Sequence, residues 1–393
     1  MDSLLKKYLN FKFQSIKWGE IKVNFKNSYE KVFKAYQGDL TSNIVIKDNT
    51  FFSDVFLKGE LGFAESYINN KWETSNLTNL LKILLKNQQI KRKNWADNYL
   101  SLLIEKFKFF LKANSINQAK KNIYYHYDLG NKFYSFWLDK SMTYSSGIFN
   151  TENDDLFASQ INKYDNIIKS LDIETSDTVL EVGAGWGGFI ERNSQTVKSN
   201  IEGLTISEQQ YNYIENLINH KKLNNSKIFL KDYRKLNLSN TYDKIVSIEM
   251  FEAVGKKYWD LYFKILNNAL KKNGKACFQV ITIDDKEYEN YINQVDFIQK
   301  YIFPGGILPS KKILYKLFKD NNFELYEEKS FGNDYAKTLK LWKESFNNSW
   351  DKISKLNFDY KFKNLWNYYL SYCETGFATG HTNVSQFFVK KVA

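Results

Sequence analysis

The sequence predicts an α/β protein built on a doubly wound, mostly parallel sheet, with a smaller α+β region ahead of it. Three observations carry this. From about residue 178, short β-rich runs alternate with helical stretches at the spacing of βαβ units. The first of these runs passes directly into a glycine turn, "VLEVGAGWGG". The alternation breaks once, over 284–321, and then resumes to the end of the chain.

Residues 1–85 form the first region. There "SNIVIKD" alternates as a strand does, and "FFSDVFLKGELGFAESYINNKW" reads as a helical stretch turning at Gly59 and Gly62. In "TSNLTNLLKILLKN", Leu77, Leu80, Leu81, Leu84 and Leu85 recur at helix spacing behind a cap at Thr74 or Ser75. Residues 86–98 are polar and basic, as a linker or exposed turn would be. "YLSLLIEKFKFFLKA" follows as an amphipathic helix with a lysine face, suited to docking on its own protein or to lying in a membrane interface.

In the second region the strands are "TVLEVGAG", "SNIEGLTIS", "KIFLKD", "YDKIVSIEM" and "KACFQVITI", with helices over 208–222 and 257–270. After the break come a strand near "FELYEEKSF", helices over 335–350 and 360–377, and a last strand "NVSQFFVKK".

Composition narrows the function. The net charge is +12, yet only three of the 56 basic residues are arginine: Arg92, Arg192 and Arg234. Readers of phosphates and bases favour the arginine fork, so nucleic acid is not expected as a partner. Diffuse lysine charge suits an anionic lipid surface, and a compositional drift toward Lys, Asn and Ile explains it as well. Cys277 and Cys373 show no metal-type spacing, so no metal is expected and a reduced cytosolic setting fits. No apolar run approaches the ~20 residues that cross a bilayer, and the N-terminus lacks the apolar block of a signal peptide. A cytoplasmic, peripherally membrane-associated protein is expected.

Gly183, Gly185, Gly187 and Gly188 follow the first strand and precede a helix. Glycine lets the backbone turn sharply there and approach a ligand, while the helix N-terminus offers free N–H groups. A dinucleotide site would close its second strand with an acid; here "GLTIS" ends on Thr205 and Ser207, which disfavours NAD. Asp232 beside Tyr233, after the third strand, suits an adenine edge: a carboxylate accepts from the exocyclic amine and a ring packs alongside.

Eight motifs then fall in register: "YYHYDLGNKFYSFWLDKSMTYSSGIF", "LEVGAGWGGF", "GLTISEQQ", "KDYRKL", "SIEMFEAVG", "QKYIFPGGILPS", "DYAKTLKLW" and "YYLSYCETGF". In order and spacing they resemble the cyclopropane fatty acid synthase family, S-adenosylmethionine-dependent methyltransferases that act on unsaturated acyl chains. The resemblance runs from about Asn122 to the C-terminus. It implies a class I methyltransferase domain over 122–393 with a Rossmann-like, seven-stranded sheet. A helical acyl-channel insertion at 284–321 covers the active site, with a lipid-associated domain over 1–85 and a connecting segment at 86–121. Carried over by position, it implies that Tyr144, Ser145, Gly183, Gly185, Gly187, Thr205, Ser207, Gln210, Asp232 and Tyr233 bind the cofactor, with His126 and Tyr127 at the mouth of the site. The substrate it implies is an unsaturated acyl phospholipid, and the chain could assemble as a homodimer.

The resemblance also implies a bicarbonate ion as base, held near Glu252, Tyr335 and the backbone at Ile281. Ser146 stands where the family usually has Cys, Gln279 where it usually has His, and Ala253 replaces a usual His. Ser and Gln still hydrogen-bond an anion, but a potential cation is lost. The product is then a cyclopropane or, if deprotonation fails at the new methyl, a methyl-branched chain. A small-amine methyltransferase of the same fold and a non-catalytic lipid-binding protein remain open.

Both prolines of the chain fall in "YIFPGGILPS", where average usage would spread roughly twenty along such a length. Pro304 with Gly305 predicts a rigid turn that closes the acyl slot. Pro309 precedes a helix that Ser310 is placed to cap.

Overall fold

The computed structural model describes residues 16–25, 29–91 and 129–392. The residues before 16, the amphipathic helix near 99–113, most of the basic linker including Arg92, and His126 and Tyr127 lie outside these.

The elements in chain order are β1 (Glu20–Phe25), β2 (Tyr29–Lys34), β3 (Thr41–Ile46), α1 (Thr50–Ile68), β4 (Trp72–Glu73), α2 (Leu77–Lys91), α3 (Asn131–Ser135) and α4 (Leu156–Ser170). Then follow β5 (Thr178–Val182), α5 (Gly188–Thr196), β6 (Asn200–Thr205), α6 (Glu208–Lys221), β7 (Ser226–Leu230), β8 (Tyr242–Ile248), α7 (Trp259–Ala269) and β9 (Leu270–Ile283). The last are α8 (Tyr288–Ile292), α9 (Phe297–Tyr301), α10 (Lys311–Asp320), β10 (Phe323–Ser330), α11 (Gly332–Asn348), α12 (Trp350–Ser354), α13 (Tyr360–Ala378) and β11 (Thr382–Lys391).

Strands β1 to β4 form a small sheet ordered β2-β1-β3-β4. Sequence alternation found β3; the lysine-interrupted strands β1 and β2 escaped it. α1 is helical as expected but breaks at Gly59, whose φ 56, ψ −128 lies far outside helical geometry. Two corrections apply to α2. It continues through Lys91, past the expected start of the linker. Its cap is Asn76, whose Oδ1 accepts the Asn79 amide at 2.9 Å, because the Thr74 and Ser75 hydroxyls are both turned to Asn43 Oδ1.

The large sheet has the order β10-β11-β9-β8-β5-β6-β7. Strands β9, β8, β5, β6 and β7 run parallel, and β11 inserts antiparallel between β9 and β10. Strand order reverses between β5 and β8, so the crevice outside their C-terminal ends is where such a sheet takes its ligand. Buried apolar residues cover both faces. A third core joins the small sheet to α11 and α13: Ile21, Trp72, Trp342, Trp366 and Leu370 are within one cluster. A buried polar tie crosses the same seam, with Glu374 Oε2 accepting from Thr78 Oγ1 at 2.9 Å and from Lys343 Nζ at 2.6 Å.

The segment after β9 holds two short helices, α8 and α9, before α10 returns the chain to the sheet. Ser310 occupies the N-cap of α10, but its side chain makes no capping bond. Asp285 Oδ1 accepts the Lys312 amide at 3.2 Å in its place.

Candidate active site

The glycine turn after β5 uses three left-handed residues, with φ of 85 at Gly183, 54 at Gly185 and 83 at Gly187. Each glycine has its own reason. A Cβ on Gly183 would fall 2.8 Å from Met250 Cγ, and one on Gly187 3.1 Å from Ile214 of α6. A Cβ on Gly185 would meet nothing within 4 Å. Gly185 therefore presents bare backbone to open space, while Gly187 serves helix packing.

Beyond β6, Thr205 Oγ1 donates to Gln210 Oε1 at 2.9 Å and accepts the Ser207 amide at 3.1 Å. Ser207 caps α6 through the Gln210 amide. Asp232 accepts from the Arg234 fork at both oxygens, at 3.0 and 2.6 Å. Tyr233 packs edge-on against Tyr262 at 5.1 Å, and its hydroxyl is buried with no hydrogen-bond partner. Across the crevice, Tyr144 shares a hydrogen bond with Tyr369 at 2.6 Å, and Ser145 Oγ accepts from Lys163 Nζ at 2.6 Å.

At the end of β8 stand two carboxylates. Glu249, at φ 50, is a non-glycine in the left-handed region, a conformation that surrounding contacts must hold. They do: Oε1 accepts the Ser146 amide at 2.9 Å and Gln279 Nε2 at 2.8 Å, and Oε2 accepts the Tyr335 hydroxyl at 2.6 Å. Gln279 is itself fixed by Gln386 Nε2 at 3.0 Å. Burial raises the Glu249 carboxyl above its usual range, and the Tyr335 and Ser146 donors pull against it. Glu252, three residues on, accepts the Ile281 amide at 2.5 Å through Oε1, while Oε2 is buried without a partner. Burial, with the Glu249 charge beside it, pushes this carboxyl up to about 8.

One cavity of about 1350 Å³ connects these groups. Gly185, Tyr233, Glu249, Glu252 and Tyr335 line it, and so does Pro304. Pro304 and Gly305 form a type II turn: Gly305 has φ 84, and the Gly306 amide donates to Phe303 O at 3.0 Å. The Ile307 amide donates to Glu252 O at 2.9 Å, which ties the turn to the carboxylate loop. The cavity continues to α1 and α2, where Phe51, Phe63 and Leu81 face it.

Most residues named from sequence thus gather around one space. Ser146 and Gln279 are fully buried behind Glu249, and Ile281 contributes its amide to Glu252. Sequence reasoning passed over Glu249, Lys163 and Gln386. A second acid within "SIEMFEAVG" was the available signal for Glu249. Among the described residues no helix is long and apolar enough to cross a membrane, and no cluster of metal-ligating side chains forms.

A family model for mycolic acid cyclopropane synthetase matches residues 114–387. The tuberculostearic acid methyltransferase of Mycobacterium tuberculosis is 32% identical over 342 residues, covering 84% of this chain and 78% of that protein. The cyclopropane-fatty-acyl-phospholipid synthase of Escherichia coli is 33% identical over 355 residues, covering 87% and 86%. Among solved structures, a mycolic acid cyclopropane synthase complexed with SAH and CTAB superposes with a TM-score of 0.65 at 28% identity, covering 69% of this chain and 98% of that one. Coclaurine N-methyltransferase superposes at 0.66 with 18% identity, covering 84% and 99%, a likeness of fold alone.

Proposed function

This chain belongs to the mycolic acid cyclopropane synthetase family, and from that premise we propose that it transfers a one-carbon unit from S-adenosylmethionine to the double bond of an unsaturated acyl chain in membrane phospholipid. The observation that carries this reading is the single cavity joining the glycine turn, the carboxylates and the Pro304 corner.

The residues fit the cofactor. Gly185 leaves a face that any side chain would fill, and Tyr233 offers a buried hydroxyl without a partner. With Asp232 and Thr205 they would hold the nucleoside end, and Tyr144 and Ser145 the opposite side. When bound, S-adenosylmethionine supplies an electrophilic methyl group. An alkene is a weak nucleophile, so the protein's part is to align the chain and exclude water. Methyl transfer leaves positive charge on the acyl chain, which the rings of Tyr144, Tyr369 and Tyr335 on the cavity wall are suited to face.

A proton must then leave. The residues do not fit a bicarbonate ion: the donors that would hold it, the Ser146 amide, Gln279 and Tyr335, already bind the Glu249 carboxylate. Glu249 is therefore the base of this reading. It takes one proton from the alkylated chain and becomes a neutral acid. Proton loss from the new methyl closes a ring; loss from a neighbouring carbon leaves a methyl-branched alkene. The lysine-rich charge of +12 suits work at the cytoplasmic face of an anionic membrane.

Mass spectrometry of lipids from cells expressing the protein, fed methyl-labelled methionine, tests this. Gain of one labelled CH2 with the unsaturation consumed means a ring, and with it retained a branch. Unlabelled acyl chains, with a small amine methylated by the purified protein, would replace this reading.

A further inference from the structure

Lys163 on α4 has no part in the chemistry above, yet it is fully buried. Its Nζ donates to Ser145 Oγ at 2.6 Å and to Gln160 Oε1 at 2.7 Å, and it stands 4.5 Å from the Tyr164 ring centroid. Both acceptors are neutral, so the charge is answered from further away by Glu249, Asp139 and Glu181, each on a different segment. Burial pushes the Glu181 carboxyl on β5 well above its usual range, and its Oε2 has no donor. Asp139, bound to Ser141, is likewise raised by burial. Glu249 is raised by burial as well, but its position sets it apart: the Ser146 amide it accepts adjoins the serine that Lys163 binds.

Two short covalent and hydrogen-bonded routes lead from Lys163 to that carboxylate. One runs through Ser145 to the adjoining Ser146 amide. The other starts from the Lys163 main chain, which positions the helix and not the ammonium: Gln386 Nε2 donates to Lys163 O at 3.5 Å and to Gln279, which donates to Glu249.

We infer that Lys163 is a positioning residue for the reaction, the buried counter-ion of Glu249 that also clamps Ser145 against the cavity. This rests on the reading of Glu249 as the base. A lysine buried only to fill space would be replaced by an apolar side chain at little cost. A counter-ion would not, because its loss raises the carboxyl further and leaves less of the base charged at neutral pH.

The test is K163M in the full chain, with E249Q and the double variant alongside. K163M should lower kcat by up to ~10-fold on the acidic limb below pH 7 and move that limb up by ~1 pH unit, with KM for phospholipid vesicles little changed. The two profiles should converge above pH ~8, where Lys163, pulled down by burial to about 7, has itself lost its proton. An unchanged profile overturns the inference.

Tm supplies a readout independent of turnover. The loss caused by K163M should at least halve in the E249Q background; an equal loss in both backgrounds overturns the pairing. If K163M does not fold, a folded double variant supports the pairing and an unfolded one overturns it. An active E249Q removes the base assignment itself, and is recognised separately from a failure of the pairing.

Discussion

Tyr335 donates its hydroxyl to Glu249 Oε2 at 2.6 Å from a position 86 residues further along the chain. Its ring is stacked on Phe377 with centroids 4.3 Å apart, so the donor cannot swing away. Tyr335→Phe keeps the ring and removes the donor. A hydrogen bond to a charged group is worth ~1.5–3 kcal/mol, so kcat should fall ~10- to 100-fold. SAH affinity, read by calorimetry, should stay within about twofold of the parent.

Glu249→Gln removes the proton acceptor while keeping the shape of the side chain. Turnover should drop by ~10²- to 10⁴-fold, the usual share of a general base. From sequence, Glu252→Gln is the variant expected to abolish product with cofactor affinity near normal. The reading of Glu249 as the base favours the opposite ranking. Burial and the Glu249 charge push the Glu252 carboxyl up to about 8, so a neutral glutamine is the smaller change there. Single-turnover rates of the two variants decide the order, and a more severe loss in Glu252→Gln would return the base to that residue.

The same carboxyl makes stability depend on pH. Glu252 titrates at about 8 in the folded chain, against the 4.5 of an ordinary glutamate side chain in the unfolded one. Between these values the folded state binds more protons, so this group's contribution is present below pH ~4.5 and is lost as pH rises through ~8. Lys163 works the other way: its folded value of about 7 lies below 10.5, so its contribution grows from pH ~7 to ~10.5. Subtracting the Tm–pH curve of Glu252→Gln from that of the parent should leave a difference that falls between pH ~5 and ~8.

Gly185→Val places a side chain in the space that bare backbone leaves open and strains a residue at φ 54. Strain in the left-handed region is ~1–2 kcal/mol, a modest loss of Tm. SAH binding should weaken by ~100-fold or more, beyond the ~30-fold that strain of ~2 kcal/mol alone would give. Equal affinity in calorimetry would remove Gly185 from the cofactor site.

What the sequence made legible was what neighbouring residues decide. Pro304 and Gly305 fix their own torsions, so the turn could be read from two letters, and helix spacing located α6 and α13. Glu249 could not be ranked that way, because its partners Ser146, Gln279 and Tyr335 lie 103, 30 and 86 residues distant. The cap of α2 failed for a related reason: Asn43, from β3, draws off the hydroxyls of Thr74 and Ser75. Strand β11 was found as a strand, but its antiparallel insertion between β9 and β10 is a property of the sheet, which periodicity does not encode.

Gly305→Ala puts a side chain at φ 84 in the turn that borders the cavity. The strain should cost ~1 kcal/mol or more and shift the preference among acyl chains of different length, measured by competition between labelled lipids. Unchanged preference would make the turn a connector only.

The Ile307 amide rests on the main-chain oxygen of Glu252, and this has a mechanical outcome. A guest molecule too bulky for the wall near Pro304 pushes on the peptide unit that carries an acid of the site. Fit and reactivity are then geared together, so selection among tails should register as altered turnover of the bound complex as well as altered occupancy.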